Sequence, residues 1–204
     1  SLIKDYFKNS LLEVGAGKGG LASKYLDLLN DITLIEPDKS LFNFLKKRFK
    51  KNKISIQNSS IQKIKKKFDL IIYFDVLEHI RKDAHEIEYA SKKLKKNGYL
   101  IFSVPAFQSF YSDFDKSVKD LKRKKKKNFI KIIKKKNLKI EKLFYYDSIG
   151  FLFLLINKIL RLKNNNLQGK VFFWNLLIPF SRVLDILTFN SFGKSLLCIY
   201  KKTE

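Results

Sequence analysis

The sequence predicts an α/β fold in which a mostly parallel β-sheet is covered by helices on both faces. Short apolar runs alternate with amphipathic stretches along most of the chain, which is the βαβα rhythm of such sheets. A glycine-rich turn, Gly15–Gly20, follows the first apolar run, and an acidic residue, Glu36, ends the second. The length of 204 residues suits one such domain with a small appendage and not two domains.

Seven short segments rich in apolar residues are the predicted strands. The fourth, Phe68–Phe74, is apolar enough to lie at the centre of the sheet. The fifth ends at Pro105, which cannot donate to the hydrogen-bonded ladder. In chain order the predicted strands are Leu11–Val14, Ile32–Ile35, Ile54–Gln57, Phe68–Phe74, Tyr99–Val104, Leu138–Tyr145 and Ser195–Tyr200.

Four stretches between these strands are predicted to be helices. The second begins at an N-cap, Asp38 or Ser40, whose side-chain oxygen can accept a backbone N–H bond. The third ends at Asn97-Gly98, a pair that favours the left-handed C-cap conformation. The predicted helices are Gly19–Leu29, the stretch from Asp38 or Ser40 to about Lys50, Asp83–Lys96 and Phe129–Lys136.

An aromatic-rich insert, Tyr146–Gly193, separates the sixth strand from the last. Its longest uninterrupted apolar run, Phe151–Ile156, is far shorter than the ~20 residues that a membrane-spanning helix needs. The later stretch Val171–Phe189 is amphipathic and is broken by Pro179. The insert is interpreted as a helical cap over the sheet edge, with contact to a membrane surface as the alternative. The predicted organisation is a core over residues 1–145, an insert over 146–193 and the last core strand over 194–204.

The net charge of +24 comes mostly from lysine. A field of this size attracts nucleic acid or anionic membranes. Arginine is scarce, however, and lysine is spread along the exposed helix faces instead of clustering beside aromatic residues. A compositional habit therefore explains the charge better than a nucleic-acid surface does.

Cysteine and histidine usage restricts the compartment and the cofactors. The single cysteine, Cys198, excludes an internal disulfide framework and fits a reducing, cytoplasmic compartment. With His79 and His85 as the only histidines, no metal site is predicted. The chain begins at Ser1 and contains no methionine, so further residues are expected upstream.

The glycine-rich turn and the acid beyond it predict a site for an adenosine-bearing cofactor. Glycines let a ligand approach the backbone closely, and Glu36 can accept two ribose hydroxyls. The run Gly15-Ala16-Gly17-Lys18-Gly19-Gly20 also satisfies the dinucleotide pattern, so a nicotinamide-dependent dehydrogenase is one interpretation. Glu13 argues against it, because a negative charge two residues before the turn favours a cationic ligand over a pyrophosphate.

Six motifs stand out along the chain: Glu13-x-Gly15-x-Gly17-x-Gly19, Glu36-Pro37-Asp38, Phe68-Asp69-Leu70-Ile71, Asp75-Val76-Leu77-Glu78-His79-Ile80, Leu94–Leu100 and Val104–Phe107. Together they resemble those of class I S-adenosylmethionine-dependent methyltransferases. They are most similar to the small-molecule branch that includes quinone C-methylases and enzymes encoded near bacterial glycan genes. The resemblance is close from Leu11 to Phe114 and loose beyond. It implies a Rossmann-like, seven-stranded, mostly parallel sheet with an antiparallel last strand and a helical insert before it.

The resemblance implies roles for the matching positions. Gly15 and Gly17 pass close to the amino-acid end and the sulfur of the cofactor, and Glu36 binds the ribose hydroxyls. Asp75 faces the methionine part and the methyl group. Ser60-Ile61 stands where the family often has an acid that binds the adenine amino group, followed by an apolar residue. The predicted cofactor-binding residues are Glu13, Gly15, Ala16, Gly17, Glu36, Pro37, Ser60, Ile61, Asp75 and Val76.

The catalytic candidates are Asp75 and His79. Methyl transfer from a sulfonium is an in-line displacement that needs alignment and a dry pocket more than acid–base chemistry. A base is needed only where the acceptor must lose a proton, and His79 is the candidate, with packing beneath the insert as its alternative role. Asp75 could instead cap the following turn, and His85 is expected at the surface.

The acceptor side departs from the resembled pattern. Tyr111, Asp113 and Asp115 follow the fifth strand, where related enzymes shape the acceptor site. Lys119–Lys124 stands where relatives have a Gly-His-aromatic-Arg-Arg-aromatic element, so no role of that histidine is carried over. The basic run Lys122–Lys127 is an anion clamp or, more simply, a solvated segment.

The predicted function is methyl transfer from S-adenosylmethionine to a small-molecule acceptor or to one linked to lipid or glycan. The chain lacks the Asn/Asp-Pro-Pro-aromatic element of adenine and glutamine N-methyltransferases after the fourth strand, which argues against methylation of nucleic-acid bases. The alternatives are a Rossmann-type dehydrogenase and a non-catalytic basic module that binds RNA or a membrane surface. A cytoplasmic enzyme is expected, with peripheral membrane contact through the insert as a further possibility.

Overall fold

A seven-stranded mixed sheet forms the centre of the computed structural model, in the order β3-β2-β1-β4-β5-β7-β6. The structure describes residues 2–111, 123, 125–133, 137–160, 177 and 179–203. β7 is antiparallel to both of its neighbours, and the other pairs are parallel, so the predicted fold is confirmed. The strands are β1 (Ser10–Val14), β2 (Asp31–Ile35), β3 (Ser55–Gln57), β4 (Phe68–Phe74), β5 (Leu94–Pro105), β6 (Leu138–Tyr146) and β7 (Ser195–Lys202).

Apolar cores cover both faces of this sheet. One contains Tyr73 and Phe102 beneath the helices that follow β3, β4 and β5, and the other contains Tyr25 and Leu45 beside the glycine-rich turn. The central strand β4 is buried at nearly every position, as its apolar sequence predicts. The described helices are α1 (Lys39–Arg48), α2 (Asp83–Lys92), α3 (Lys126–Ile133), α4 (Ser148–Ile159) and α5 (179–187).

Two helix predictions were wrong. The predicted helix Gly19–Leu29 is a pair of 3-10 turns, Ala22–Lys24 and Leu26–Leu28. Gly19 has a φ of +74°, and a Cβ there would lie 2.4 Å from the Phe49 ring, so this turn is held against α1 in a non-helical conformation. The helix predicted to end at Lys96 ends at Lys92 instead.

The predicted C-cap at Asn97-Gly98 lies inside β5. Asn97 does take the left-handed conformation, with a φ of +59°. The pairing between β4 and β5 shifts between Phe68 and Leu70, which absorbs the extra residues of β5 as a bulge. The α1 cap was predicted correctly, since the Asp38 carboxylate accepts the Leu41 N–H at 2.9 Å.

The structure describes two helices within the predicted insert, α4 and α5. Among the described residues, no helix combines the length and the hydropathy of a membrane span. The boundaries of the insert at 146–193 stay a prediction. Several sequence expectations fall outside the described residues: those on Asp113, Asp115, Lys119–Lys122 and Lys124, and part of those on 171–178.

Candidate functional site

The glycine-rich turn lies between β1 and the 3-10 turn Ala22–Lys24. A side chain would clash with its neighbours at Gly15 but would meet open space at Gly17. Gly15 and Gly17 have φ values of +69° and +56°, which L-residues rarely adopt. A Cβ on Gly15 would lie 2.6 Å from Val76, whereas a Cβ on Gly17 would meet nothing within 4 Å. The turn therefore packs on the β4 loop through Gly15 and leaves space beside Gly17.

Glu36 joins this turn to the loop after β2. Its side chain is almost fully buried, and one carboxylate oxygen accepts the Gly17 N–H at 2.8 Å while the other accepts the Asp38 N–H at 3.0 Å. The Asn58 amide donates to the Glu36 and Pro37 carbonyls at 2.8 and 2.9 Å, which fixes the loop. Each carboxylate oxygen has a second acceptor position, so Glu36 can still bind a pair of hydroxyls.

A pocket of about 530 Å³ lies at this carboxyl edge of the sheet, a size that suits a nucleoside-bearing ligand. Most of the predicted site residues line it. The lining residues are Val14, Gly15, Gly17, Glu36, Pro37, Leu41, Ser59, Ser60, Ile61, Gln62, Asp75, Val76, His79, Ile80 and Glu86.

The charge of the pocket is opposite to that of the protein. Three carboxylates, Glu36, Asp75 and Glu86, line it, and no lysine or arginine of the described residues does. The whole chain carries a net charge of +24. The pocket is therefore suited to a cationic ligand and unsuited to a pyrophosphate.

Glu86 of α2 is a pocket residue that sequence analysis missed. The residue is 7% exposed, and its carboxylate accepts the Tyr73 hydroxyl at 3.1 Å and the Gln62 amide N–H at 3.0 Å. Burial raises the pKa of Glu86, against the opposing effect of these two hydrogen bonds. The available sequence signal is an acid on the same helix face as Ile87 and Ala90, which are fully buried.

Asp75 follows β4 in a left-handed conformation, with a φ of +53°. Such a conformation is strained in a residue other than glycine, and here the Asp75 N–H is held by the Ser103 carbonyl at 3.0 Å. Desolvation raises the pKa of Asp75, and the charges of Lys194 and His79 oppose the shift. His79 is exposed and lines the pocket beside Asp75.

A second pocket has Tyr146 in its lining. The Tyr146 hydroxyl lies 2.6 Å from the Ser103 Oγ, and burial with the nearby Asp75 charge raises the pKa of Tyr146 to about 12. The second pocket has a volume of about 540 Å³ and is largely apolar, with Phe7, Tyr25, Phe74, Tyr146, Leu197 and Arg182 among its lining residues.

Two of the predicted cofactor-binding residues do not line the first pocket. Glu13 is 3% exposed and lies behind the turn, where its carboxylate accepts the Tyr25 hydroxyl. Burial raises the pKa of Glu13 to about 7, although the Tyr25 bond lowers it. Ala16 packs into the core on the Tyr25 side of the sheet. A ligand-binding role for either residue stays a prediction.

Comparison with known families decides what kind of protein carries this pocket. The family model described as a methyltransferase domain matches residues 4–140. The chain belongs to the methyltransferase domain family. The predicted resemblance to class I S-adenosylmethionine-dependent methyltransferases is thereby confirmed, and neither a dehydrogenase nor a non-catalytic module is favoured.

The methyltransferase domain also resembles individual proteins. It is 32% identical over 116 residues to the ubiquinone biosynthesis O-methyltransferase of Pelagibacter ubique, a match that covers 50% of this chain and 48% of the relative. The chain thus spans about half the length of that curated relative.

Solved structures share the fold at low identity. The N-methyltransferase NodS of Bradyrhizobium japonicum in complex with S-adenosyl-L-homocysteine superposes with a TM-score of 0.59 at 15% identity, covering 96% of this chain and 79% of NodS. An S-adenosylmethionine-dependent methyltransferase of Clostridium acetobutylicum gives a TM-score of 0.66 at 12% identity, covering 100% of this chain and 87% of that one. At these identities the two likenesses show the shared fold, and S-adenosyl-L-homocysteine is the ligand of NodS.

Proposed function

We propose that the methyltransferase domain transfers a methyl group from S-adenosylmethionine to a small-molecule or lipid-linked acceptor. The observation that carries the proposal is the acidic pocket at the glycine-rich turn of a strongly basic chain. Glu36, Asp75 and Glu86 line it without a lysine or arginine among the described lining residues. S-adenosylmethionine supplies a methyl group activated by a positively charged sulfonium, and such a cation is stabilised by this environment.

Three residues position this ligand: Glu36, Gly17 and Asp75. Glu36 accepts the ribose hydroxyls through the acceptor positions that the Gly17 and Asp38 N–H groups leave available. The open side of Gly17 accommodates the ligand beside the backbone. Asp75, whose pKa is raised by desolvation against the opposing charge of Lys194, faces the charged end of the ligand.

Glu86 is proposed to bind the adenine base. Ser60 occupies the place where an acid is expected, and Glu86 supplies a carboxylate to the same pocket from α2. Tyr73 and Gln62 hold that carboxylate at 3.1 and 3.0 Å, so it is oriented before the ligand arrives. An oriented acceptor of this kind favours a base with an exocyclic amino group.

The apolar pocket beside Tyr146 is proposed as the acceptor site. Tyr146 and Phe74 line it, and the charge of Asp75 contributes to the raised pKa of Tyr146. The apolar lining favours an aromatic or lipid-like acceptor. A quinone is such a molecule, and the curated relative is named a ubiquinone biosynthesis O-methyltransferase. His79, at the edge of the first pocket, is proposed to take a proton where the acceptor must lose one.

Calorimetric titration with S-adenosyl-L-homocysteine and with NAD⁺ tests the proposal. We expect one S-adenosyl-L-homocysteine to bind per chain, and NAD⁺ to bind at least about 100-fold more weakly because its pyrophosphate meets three carboxylates. Equal binding of the two ligands, or binding of NAD⁺ alone, would exclude the methyl-donor assignment.

A further inference from the structure

Helix α5 presents its polar side to the protein and its apolar side to solvent. Ser181 and Asp185, one helical turn apart, are 5% and 7% exposed. On the other side Phe180, Val183 and Leu187 are 64%, 57% and 70% exposed. This is the reverse of the usual orientation of a surface helix, in which the apolar stripe faces the core.

Hydrogen bonds to the start of α4 fix this orientation. The Asp185 carboxylate accepts the Ser148 N–H at 2.8 Å and the Asp147 N–H at 3.0 Å, and it also accepts the Ser148 hydroxyl. The Ser181 hydroxyl accepts the Ile149 N–H at 3.3 Å. A carboxylate at a helix N-terminus is bound by charge-assisted hydrogen bonds and by the helix dipole. Turning the apolar side of α5 inward would break all of these contacts.

The neighbouring helix α4 also exposes apolar side chains, and we call the exposed apolar residues of the two helices the insert face. Its members on α4 are exposed by between 37% and 68%: Leu152, Phe153, Leu155, Ile156 and Ile159. Its members on α5 and just after it are Phe180, Val183, Ile186, Leu187 and Phe189. Scattered exposed apolar residues are normal, but a dense group on two contacting helices marks an interaction surface.

The charges around the insert face indicate which surface it meets. Both acids of residues 146–193, Asp147 and Asp185, are engaged in internal hydrogen bonds. Arg182 is exposed among the apolar residues of α5. The sequence of the segment contains four further basic residues, and the one that the structure describes, Lys158, donates to the Ser109 carbonyl at 2.8 Å.

We propose that the insert face docks on an anionic bilayer, with the apolar side chains of α5 in the boundary between headgroups and acyl chains. Apolar burial and attraction between basic residues and anionic lipid act together in such interfacial helices. The net charge of +24 adds long-range attraction to the same surface.

Vesicle sedimentation tests this docking. The full chain is expected to bind phosphatidylcholine vesicles that contain phosphatidylglycerol, and to bind pure phosphatidylcholine at least about tenfold more weakly, with further loss in high salt. The double variant Phe180→Ser, Leu187→Ser is expected to lose at least about tenfold in binding. Phe44→Ser is the matched control, because Phe44 is 49% exposed on α1 beside β3, at the opposite edge of the sheet.

The variants keep the internal contacts of Ser181 and Asp185, so an unchanged circular dichroism melt is expected. A second pair, Ile186→Ser with Phe189→Ser, removes side chains that are 71% and 89% exposed and repeats the test if the first pair fails to fold. The proposal is overturned if the wild type does not bind anionic vesicles, or if both pairs bind as well as the wild type does. It is also overturned if the wild type is a dimer that the variants dissociate, since a second copy then covers the face. Vesicle binding needs no cofactor, so these results are separate from those on methyl transfer.

Discussion

Two buried glutamates, one within β1 and one directly after β2, differ in their hydrogen-bond partners and in their position relative to the pocket. Glu36, at the end of β2, accepts two backbone N–H groups and faces the pocket. Glu13, within β1, accepts only the Tyr25 hydroxyl among the side-chain hydrogen bonds described here, and it lies behind the turn. A buried carboxylate with little compensation favours its neutral form, which makes Glu13 a group that titrates near neutral pH.

Glu13 is predicted to make the stability of the fold depend on pH. Its pKa is about 7 in the folded state and ordinarily 4.5, so the unfolded chain loses its proton first as the pH rises. As the pH rises from 4.5 to about 7, the free energy of unfolding therefore falls by up to about 3 kcal/mol. It stays lower by this amount at higher pH. Glu13→Gln removes the titration and keeps an amide oxygen for Tyr25.

Urea unfolding of the wild type and of Glu13→Gln between about pH 5 and pH 8 checks this. The variant is expected to gain free energy of unfolding relative to the wild type across this range, with little further change above it. Parallel stability curves for the two proteins would show that Glu13 is not the titrating group.

Glu86 is predicted to discriminate between purine bases. The wild type is expected to prefer S-adenosyl-L-homocysteine to S-inosyl-L-homocysteine, because an inosine carbonyl would face the carboxylate in place of an amino group. Glu86→Gln should narrow that preference by about tenfold, since an amide can donate to the carbonyl. Glu88→Gln is the control, as Glu88 lies on the same helix but is 44% exposed and pairs with Lys92. An undiminished preference in Glu86→Gln would assign Glu86 a purely structural role.

The residues of the pocket divide into those that sequence could predict and those that it could not. Glu36, Gly15, Gly17 and Asp75 stand next to strand ends in recognisable spacings, and all four line one pocket. Glu86 stands at no strand end, and its hydrogen-bond partners are 13 and 24 residues away along the chain. Its position depends on how α2 packs across the sheet, which local patterning does not specify.

At the scale of elements, strands were easier to predict than helix boundaries. β4 matches its predicted limits, since an apolar run that is buried on both faces leaves few alternatives. The stretch after the glycines forms 3-10 turns because Gly19 packs against the Phe49 ring, a contact between distant parts of the sequence. Asn97 took the left-handed conformation that was predicted, but within a strand bulge instead of a helix cap.

Asp185 is predicted to stabilise the two helices of the insert as a unit. Asp185→Ala leaves the Asp147 and Ser148 N–H groups without their carboxylate, so a loss of about 2–4 kcal/mol in the free energy of unfolding is expected. Asp27→Ala, at an exposed position in a 3-10 turn, should change stability by less than about 0.5 kcal/mol. Chemical denaturation compares the two variants, and equal stabilities would contradict the anchoring role.

At the scale of the whole molecule, charge is distributed unevenly. The chain carries a net charge of +24, yet the described pocket at the carboxyl edge of the sheet is acidic. The sequence predicted that Glu36 and Asp75 share one site but not that Glu86 joins them, because the order β3-β2-β1-β4-β5-β7-β6 and the packing of α2 together bring β2, β4 and α2 to one edge. The fold thus gathers acidic side chains at one pocket of a strongly basic chain.

The binding of S-adenosyl-L-homocysteine to Glu36→Gln tests the methyl-donor pocket most directly. Glu36 contacts both loops of the pocket, so the variant should lose at least tenfold in affinity, or about 1.4 kcal/mol, by calorimetry. Glu88→Gln should bind as the wild type does. A dissociation constant for Glu36→Gln equal to that of the wild type, in a protein with an unchanged melt, would contradict the assignment of this pocket.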